Sequence, residues 1–364
     1  MGVTRCLGRC CCLLVMLPSV VCVLGVTNRP TGLVNLQQDR LSPQYKSRLV
    51  HAASLFSKFC TSTNRDHQSV WESAMCANEA LIAYAQFCFD ARRPLWVVSH
   101  AILALQTSNR LLKGSLRPAW DSVQSWKLST PVKSRTPLPH ALMKAVCYHA
   151  VCNAIWHDSS HAYMWFCFAV CIRLGFHGLM RPNELFSMTR RYLKLPMGTL
   201  LGGAHVAVAT IREPKNRAFM GRLQVRMVRD DAAIAWLAWL CAGMIPDAFL
   251  WPLSDYCFRT CLKTCLLDLG LGHLDITPGS LRAGGATWLL ENGVSLSAIR
   301  FAGSWASDKS MCCYLQEAES ASVLLSISPT EQSRLETLLQ DLGTFERPPR
   351  TPFLEFCYGS AGSL

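Results

Sequence analysis

The sequence predicts a mainly α-helical protein with a small β-hairpin or sheet, an α+β fold made of a helical N-terminal bundle and a larger second domain. Two observations predict this fold. Apolar residues recur every three or four positions over most of the chain, which is the period of helices with one buried face. Residues 204–228 instead alternate around a polar turn, as the strands of a hairpin do. The length of 364 residues is enough for two domains.

The composition excludes disorder over most of the length, since 50% of the residues are hydrophobic and only 16% are charged. The net charge is +12. Residues 101–220 carry most of it, with 15 basic and 4 acidic side chains. This concentration indicates an acidic partner, either a nucleic acid or an anionic membrane, or else a basic surface that only keeps the protein soluble.

The 19 cysteines predict neither a disulfide framework nor a metal site. They are scattered through apolar stretches of a long chain, which is typical of reduced core residues. Cys257, Cys261 and Cys265 repeat every four positions and therefore share one face of a helix. No spacing suits a tetrahedral zinc site, so we expect no metal and no cofactor.

The N-terminal segment, residues 1–26, has two interpretations. Arg5 and Arg9 precede the apolar run Cys10–Val26, which is the pattern of a signal peptide. The run is short for a membrane span, and Pro18 interrupts it. The other interpretation is an extension without a targeting role, and the sequence leaves the localisation unknown.

Beyond this segment the pattern predicts four regions. Residues 40–125 form a helical bundle, and residues 126–139 form an exposed basic linker, because they contain three prolines and lack an apolar period. Residues 140–320 form the second domain. Residues 321–364 form a C-terminal helix and tail, with a capped helix near residues 328–342.

The elements of the second domain follow in order. Two buried helices come first, and the hairpin at 204–228 turns at 213–216. A cap at Thr277 begins the next helix, which Gly293 ends, and another helix spans about 296–303.

Five residues of this domain suggest phosphate chemistry: Arg181, Lys215, Arg282, Trp305 and Tyr314. Two guanidiniums can bind the non-bridging oxygens of one phosphate. A tyrosine phenol, with an ordinary pKa of about 10, is a poor nucleophile alone, but such a clamp stabilises the charge that develops when it attacks phosphorus. A lysine on a hairpin turn can protonate the departing oxygen.

Three stretches resemble, in order, the conserved boxes of the tyrosine recombinase (phage integrase-like) family: GLMRPNELFSM, EPKNRAF and SLRAGGATWLLENGVSLSAIRFAGSWASDKSMCCYL. The resemblance covers about 136–320, and the preceding helical region resembles the family's core-binding domain. The residues that match the family's motifs are Arg181 with Glu184, the hairpin Lys215, Leu281 with Arg282, Trp305 and the nucleophile Tyr314.

The resemblance implies DNA recombination and integration through a 3′-phosphotyrosyl intermediate, without ATP or a metal ion. It also implies double-stranded DNA as the partner, a homo-tetramer on two duplexes, and a DNA-containing compartment such as the nucleus. The C-terminal segment is expected to dock on a neighbouring subunit, as in the family.

One position departs from the family. Gly279 stands where the second box usually has a histidine, and glycine can neither shuttle a proton nor donate a side-chain hydrogen bond. The alternative to an active enzyme is therefore a catalytically inactive DNA-binding remnant of a mobile-element recombinase. A type IB topoisomerase, which shares the chemistry, and a repurposed secreted or organellar protein remain further alternatives.

Each site residue also has a purely structural interpretation. Arg181 and Arg282 suit surface ion pairs, and Trp305 and Tyr314 suit a hydrophobic core. Lys215 has basic neighbours in the same turn, at Arg212 and at position 217, and any of these side chains suits a solvent-exposed surface.

Overall fold

The computed structural model describes most of the chain beyond residue 40: residues 41, 43–130, 135–156, 159–196, 205–212, 214–216, 220–221, 223–341, 347–349 and 353. The N-terminal segment 1–26 lies outside the described residues. The chain divides into two compact units, one within 27–133 and one within 134–364. The described part is mainly helical with one small antiparallel sheet, which confirms the predicted fold class. Over the same residues, no helix has both the length and the apolar character that a membrane span requires.

The first unit is a bundle of five helices over the described part of 27–133. Asp66 and Ser73 cap two of these helices, each accepting a hydrogen bond from a backbone N–H three residues on. Apolar side chains from every helix meet in one core around Phe56, Leu81 and Val98. The helices are α1 (Pro43–Ser62), α2 (His67–Glu72), α3 (Ala74–Asp90), α4 (Trp96–Ser108) and α5 (Arg117–Ser129).

The last helix of the bundle runs into the region predicted as a linker. The prediction began the linker at Trp126, but residues 126–129 are the final turn of α5. Trp126 packs edge-on against Phe89 of α3, with ring centres 5.3 Å apart. This aromatic contact extends the helix past the point at which the apolar period fades in the sequence.

The second unit has ten helices among its described residues: α6 (His140–Trp156), α7 (Ser159–His177), α8 (Pro182–Phe186), α9 (Asp231–Cys241), α10 (Asp255–Asp268), α11 (Ser280–Glu291), α12 (Leu296–Gly303), α13 (Asp308–Cys312), α14 (Glu317–Leu325) and α15 (Pro329–Asp341). Helices α6 and α7 pack against each other at its centre, and α9 and α11 pack on α7. Cys147, Cys167 and Cys171 are buried there as free thiols, in keeping with the predicted core role.

A three-stranded antiparallel sheet lies beside these helices, in the order β1 (Leu193–Lys194), β2 (Ala207–Ile211) and β3 (Gln224–Val228). Strands β2 and β3 form the predicted hairpin, with Ala209 paired to Arg226. The sequence analysis did not predict β1, because two residues are too few to show an alternating pattern.

Helix α11 begins later than the sequence analysis predicted. Gly279, and not Thr277, is its N-cap, because the Ser280 backbone N–H donates to the Thr277 carbonyl oxygen at 2.8 Å and closes a turn before the helix. A Cβ on Gly284 would lie 2.0 Å from the Leu138 carbonyl oxygen, and one on Gly285 would lie 2.1 Å from that of Phe176. These two glycines therefore allow the chain on both sides to approach the helix closely.

The C-terminal helix packs on its own unit. Helix α15 lies against α6, and Leu335 is buried in the same core as α6 and α7. Ser328 and Glu331 cap its start through reciprocal hydrogen bonds between side chain and backbone. The described part of the C-terminal region thus folds back on the chain that carries it.

Candidate phosphate-binding site

The first part of the site forms where α7 ends. Leu179 has a left-handed backbone conformation (φ 49°), and after this turn Arg181 lies at the start of α8. The Glu184 carboxylate accepts hydrogen bonds from the Arg181 backbone N–H at 3.0 Å and from Arg181 Nη1 at 2.6 Å. The three-residue spacing from Arg181 to Glu184 thus closes the first turn of the helix around an ion pair.

Arg226 is a site residue that the sequence analysis missed. It lies on the inner face of β3 with no exposed surface, and its Nη2 is 3.5 Å from Glu184 Oε2. Its Nη1 donates a hydrogen bond to the Ser304 hydroxyl. A second guanidinium thus shares the carboxylate of Glu184.

Arg282 supplies the third guanidinium from the first turn of α11. Its Nη1 donates to the Leu179 carbonyl oxygen at 2.6 Å, and its Nη2 donates to that of Gly303 at 2.7 Å. The same Nη1 lies 3.9 Å from Glu184 Oε2. Only 1% of the residue is exposed, so two carbonyl groups and one carboxylate take the place of water around its charge.

The electrostatics of this arginine cluster (Arg181, Arg226 and Arg282 around Glu184) favour an anion. Burial alone would raise the pKa of the Glu184 carboxyl, but the three arginines together hold it below its ordinary value. Burial lowers the pKa of Arg282 to about 9, and repulsion from the other two arginines adds to that lowering. Arginine side chains carry a positive charge in proteins. One carboxylate therefore leaves two positive charges uncompensated.

Two aromatic rings lie beside Arg282, tilted by 53° to each other. The centres of the Trp305 and Tyr314 rings are 5.3 Å apart, and the Arg282 guanidinium carbon lies 4.2 Å from the first and 5.4 Å from the second. A Cβ on Gly303 would lie 1.7 Å from the indole, so this glycine makes room for the ring. Such cation–π contacts stabilise a guanidinium that water cannot reach.

Thr287 of α11 fixes the backbone that directly follows the tyrosine side chain, on both sides of Leu315. Its hydroxyl donates to the Tyr314 carbonyl oxygen at 3.2 Å and accepts from the Gln316 N–H at 3.1 Å. The half-buried Tyr314 is therefore held against the helix that carries Arg282.

Comparisons with known proteins bear on this architecture. No protein-family model matches the chain, and no curated protein matches its sequence. Among solved structures, the Tn1549 transposon integrase in complex with transposon right end DNA is 11% identical, with a TM-score of 0.52. The match covers 84% of this chain and 96% of that chain.

The chain has a tyrosine-recombinase-like fold. Two further solved structures with lower TM-scores also match. The XerA recombinase is 14% identical with a TM-score of 0.36, and the match covers 86% of this chain and 95% of that chain. The XerH site-specific recombinase in a post-cleavage complex is 14% identical with a TM-score of 0.41, with coverage of 78% and 98%.

Within this tyrosine-recombinase-like fold, the structure brings together four of the five predicted site residues: Arg181, Arg282, Trp305 and Tyr314. Lys215 is exposed on the turn between β2 and β3, and no contact between it and the cluster is found among the described residues. Its neighbour Asn216 donates to the Ser304 carbonyl oxygen at 2.7 Å and so ties the turn to the loop that Arg226 also contacts. No sequence signal pointed to Asn216.

Three buried N–H groups of the site have no hydrogen-bond acceptor among the described residues: Arg226 Nε, Arg282 Nε and Trp305 Nε1. A buried donor without an acceptor costs about 1–3 kcal/mol. Arg181 is the most exposed of the three arginines, at 19% of its side chain, and forms the solvent side of the cluster. The site is thus rich in donors and positive charge, and it lies beside one half-buried phenol.

Proposed function

We propose that this chain binds double-stranded DNA and breaks and rejoins its strands through a covalent bond between Tyr314 and a 3′ phosphate. The observation that carries the proposal is the buried arginine cluster beside Tyr314. Two uncompensated positive charges and several unpaired donors suit a phosphodiester, whose two non-bridging oxygens accept hydrogen bonds and share one negative charge. The likeness of the fold to a transposon integrase in complex with DNA supports the same assignment.

The proposed step exchanges one phosphodiester for another. The Tyr314 phenolic oxygen forms a bond to phosphorus and gives up its proton to solvent water, while the bond from phosphorus to the 5′ oxygen breaks. The leaving oxygen takes up a proton, for which Lys215 is the proposed donor, and becomes a 5′ hydroxyl. A second strand's 5′ hydroxyl later attacks the phosphotyrosine and releases the phenol. Since each step replaces one phosphate ester bond by another, no ATP is required.

The arginine cluster acts on the transition state in this proposal. Negative charge grows on the non-bridging oxygens as phosphorus accepts a fifth oxygen, and fixed guanidiniums stabilise that charge without reorganising. Arg282 and Trp305 both contact the Tyr314 ring of the same chain, so in this proposal one protomer supplies the nucleophile and the charged groups.

The test is a search for a covalent adduct that survives SDS. The natural chain is incubated with a mixed-sequence pool of nicked duplexes, in which the short cleaved strand diffuses away and traps the adduct. We expect an adduct with the natural chain and none with Tyr314→Phe. Tyr256→Phe is the matched control, because Tyr256 is an exposed tyrosine of the same unit, and it should react as the natural chain does. An adduct that persists in Tyr314→Phe contradicts the assignment of the nucleophile.

A second candidate function rests on Gly279. Without a side chain at this position, we propose as the alternative a DNA-binding protein of the same fold that no longer cleaves. DNA binding that weakens steeply with salt, together with no adduct from the natural chain, favours this alternative.

The mode of assembly and the compartment follow from the first proposal. Strand exchange between two duplexes requires four strands to be cut, so we propose a homo-tetramer on DNA. The reaction also requires a compartment that contains DNA.

A further inference from the structure

The segment before α6 runs along α11 and brings a basic side chain to its start. The Leu138 backbone N–H donates to the Ser280 carbonyl oxygen at 3.2 Å, and the Leu138 carbonyl oxygen lies against Gly284. Farther along, His140 stacks on Trp288 with ring centres 4.8 Å apart. This parallel course places Arg135, at the beginning of the segment, beside Gly279.

The Arg135 side chain occupies the space that a side chain at position 279 would need. A Cβ on Gly279 would lie 2.7 Å from Arg135 Nη1 and 3.2 Å from both Cδ and Cζ. Gly279 is buried beneath this side chain, while Arg135 itself is exposed. Among the described residues, Arg135 forms no ion pair, so its charge is available to a ligand in solution.

The placement relates Arg135 directly to the arginine cluster. Gly279 has helical backbone angles (φ −70°, ψ −22°) and lies three positions before Arg282. Residues three apart in a helix share one face, with Cβ atoms about 5–6 Å apart.

We propose that Arg135 is a phosphate-binding residue of this site: its guanidinium, lying over Gly279, donates to the DNA phosphate that Arg181 and Arg282 hold. The inference rests on the proposed function and deepens it, because it assigns a donor to the position at which the second box lacks a side chain. Arginine stays protonated, so Arg135 stabilises charge on the phosphate and does not transfer protons.

The experiment measures the rate of adduct formation on the nicked-duplex pool. Arg135→Ala should slow the reaction by about 10²-fold, the typical effect of removing one donor to the developing charge. Arg135→Lys should recover part of the rate. Arg259→Ala is the matched control, since Arg259 is an exposed arginine of the same unit paired with Asp255, and its rate should equal that of the natural chain. A rate unchanged in Arg135→Ala overturns the proposal.

A double substitution separates this role from simple packing. Gly279→His alone should slow the reaction, because the new side chain collides with the Arg135 guanidinium. Combined with Arg135→Ala, it should react faster than Arg135→Ala alone, because the imidazole then donates from the same place. A double variant no faster than Arg135→Ala, with an unchanged Tm, overturns the proposal.

DNA affinity distinguishes failure of this inference from failure of the proposed function. If the natural chain forms no adduct but binds duplex DNA, cleavage is absent. The role of Arg135 is then tested by the salt dependence of DNA affinity. Log affinity falls as log salt rises. Arg135→Ala should make this fall shallower by about 1 unit of slope, as loss of one phosphate contact does, and Arg259→Ala should leave it unchanged. Equal slopes in the two variants overturn the Arg135 assignment, and absence of DNA binding overturns both proposals.

Discussion

Two groups of buried basic side chains lie along α11. They differ in whether the side chains that name each group keep their positive charge when buried. The arginine cluster gathers three guanidiniums around Glu184. The second group lines a cavity of about 430 Å³ and includes His140, Lys144, Arg173 and His177 with Asp230. We call it the histidine cavity.

Burial lowers the pKa of both histidines in that cavity to about 4, although Asp230 opposes the shift. Both rings are therefore neutral at pH 7, and a neutral ring does not carry the free-energy cost of burying a charge. Arginine cannot avoid that cost in the same way, because its guanidinium stays protonated. A buried arginine must therefore keep a carboxylate, a carbonyl group or a bound anion beside it. Three basic side chains and two carboxylates line the histidine cavity, which leaves one positive charge uncompensated there: Lys144, Arg173 and Arg229 with Asp230 and Asp231. The arginine cluster has two uncompensated charges and therefore suits a phosphate better.

The largest effect should come from removing the carboxylate of each group. Glu184→Ala leaves the buried guanidiniums of Arg226 and Arg282, and the partly exposed one of Arg181, without their counter-charge, and the free energy of unfolding should fall by about 3–5 kcal/mol. Asp230→Ala should cost only about 1 kcal/mol, because its neighbouring histidines are neutral and the loss is mainly that of its helix cap, the hydrogen bond from the Ala233 N–H. Urea denaturation of both variants measures the difference. Equal losses would remove the contrast between the two groups.

A smaller effect should appear when one charge is removed from the weakened cluster. In the Glu184→Ala background, Arg226→Met should restore about 1–3 kcal/mol, because it relieves repulsion among the remaining guanidiniums. The single variant Arg226→Met should destabilise the natural chain, since Ser304 and Glu184 lose a partner. A double-mutant cycle by urea denaturation gives the coupling. Additive effects would mean that Glu184 and Arg226 act independently.

The effect that is smallest at neutral pH should come from acid. The folded pKa of about 4 lies below the ordinary histidine value of about 6.5, so protons favour the unfolded chain as pH falls from 6.5 to 4. Each histidine should then remove at most about 1.4 kcal/mol of stability per pH unit, and none above pH 6.5. His177→Phe should make the fall shallower when urea unfolding is followed from pH 7.5 to pH 5. A slope identical to that of the natural chain would show that His177 does not titrate in this range.

Much of the fold was predictable from the sequence because the spacing of apolar residues and the positions of capping and turn residues depend on local interactions. The helix at Leu296–Gly303 was predicted with the bounds that the structure has, since its apolar period and flanking turn residues agree. The predicted start of α11 was wrong because the Ser280 backbone N–H donates to the Thr277 carbonyl oxygen, which makes residues 277–280 a turn before the helix. The two-residue strand β1 forms through pairing with β2, which a local pattern cannot reveal.

The site was predictable only where the spacing of two residues along the sequence is enough to bring them together. Arg181 and Glu184, three residues apart, meet at the start of one helix. Arg226 was missed because alternation does not say which face of β3 is inside, and here the polar Gln224 and Arg226 are buried while Val225 is exposed. The position of Arg135 over Gly279 depends on contacts across more than 140 residues, and no local pattern reports such a contact.

The hydroxyl of Thr287 has a mechanical consequence. It holds the backbone on both sides of Leu315, with one bond to the Tyr314 carbonyl oxygen and one to the Gln316 N–H. This anchor joins α11, which carries Arg282, to the backbone that leads from Tyr314 into α14. The distance of the phenol from the arginines is therefore set in part by a threonine on the same helix as Arg282.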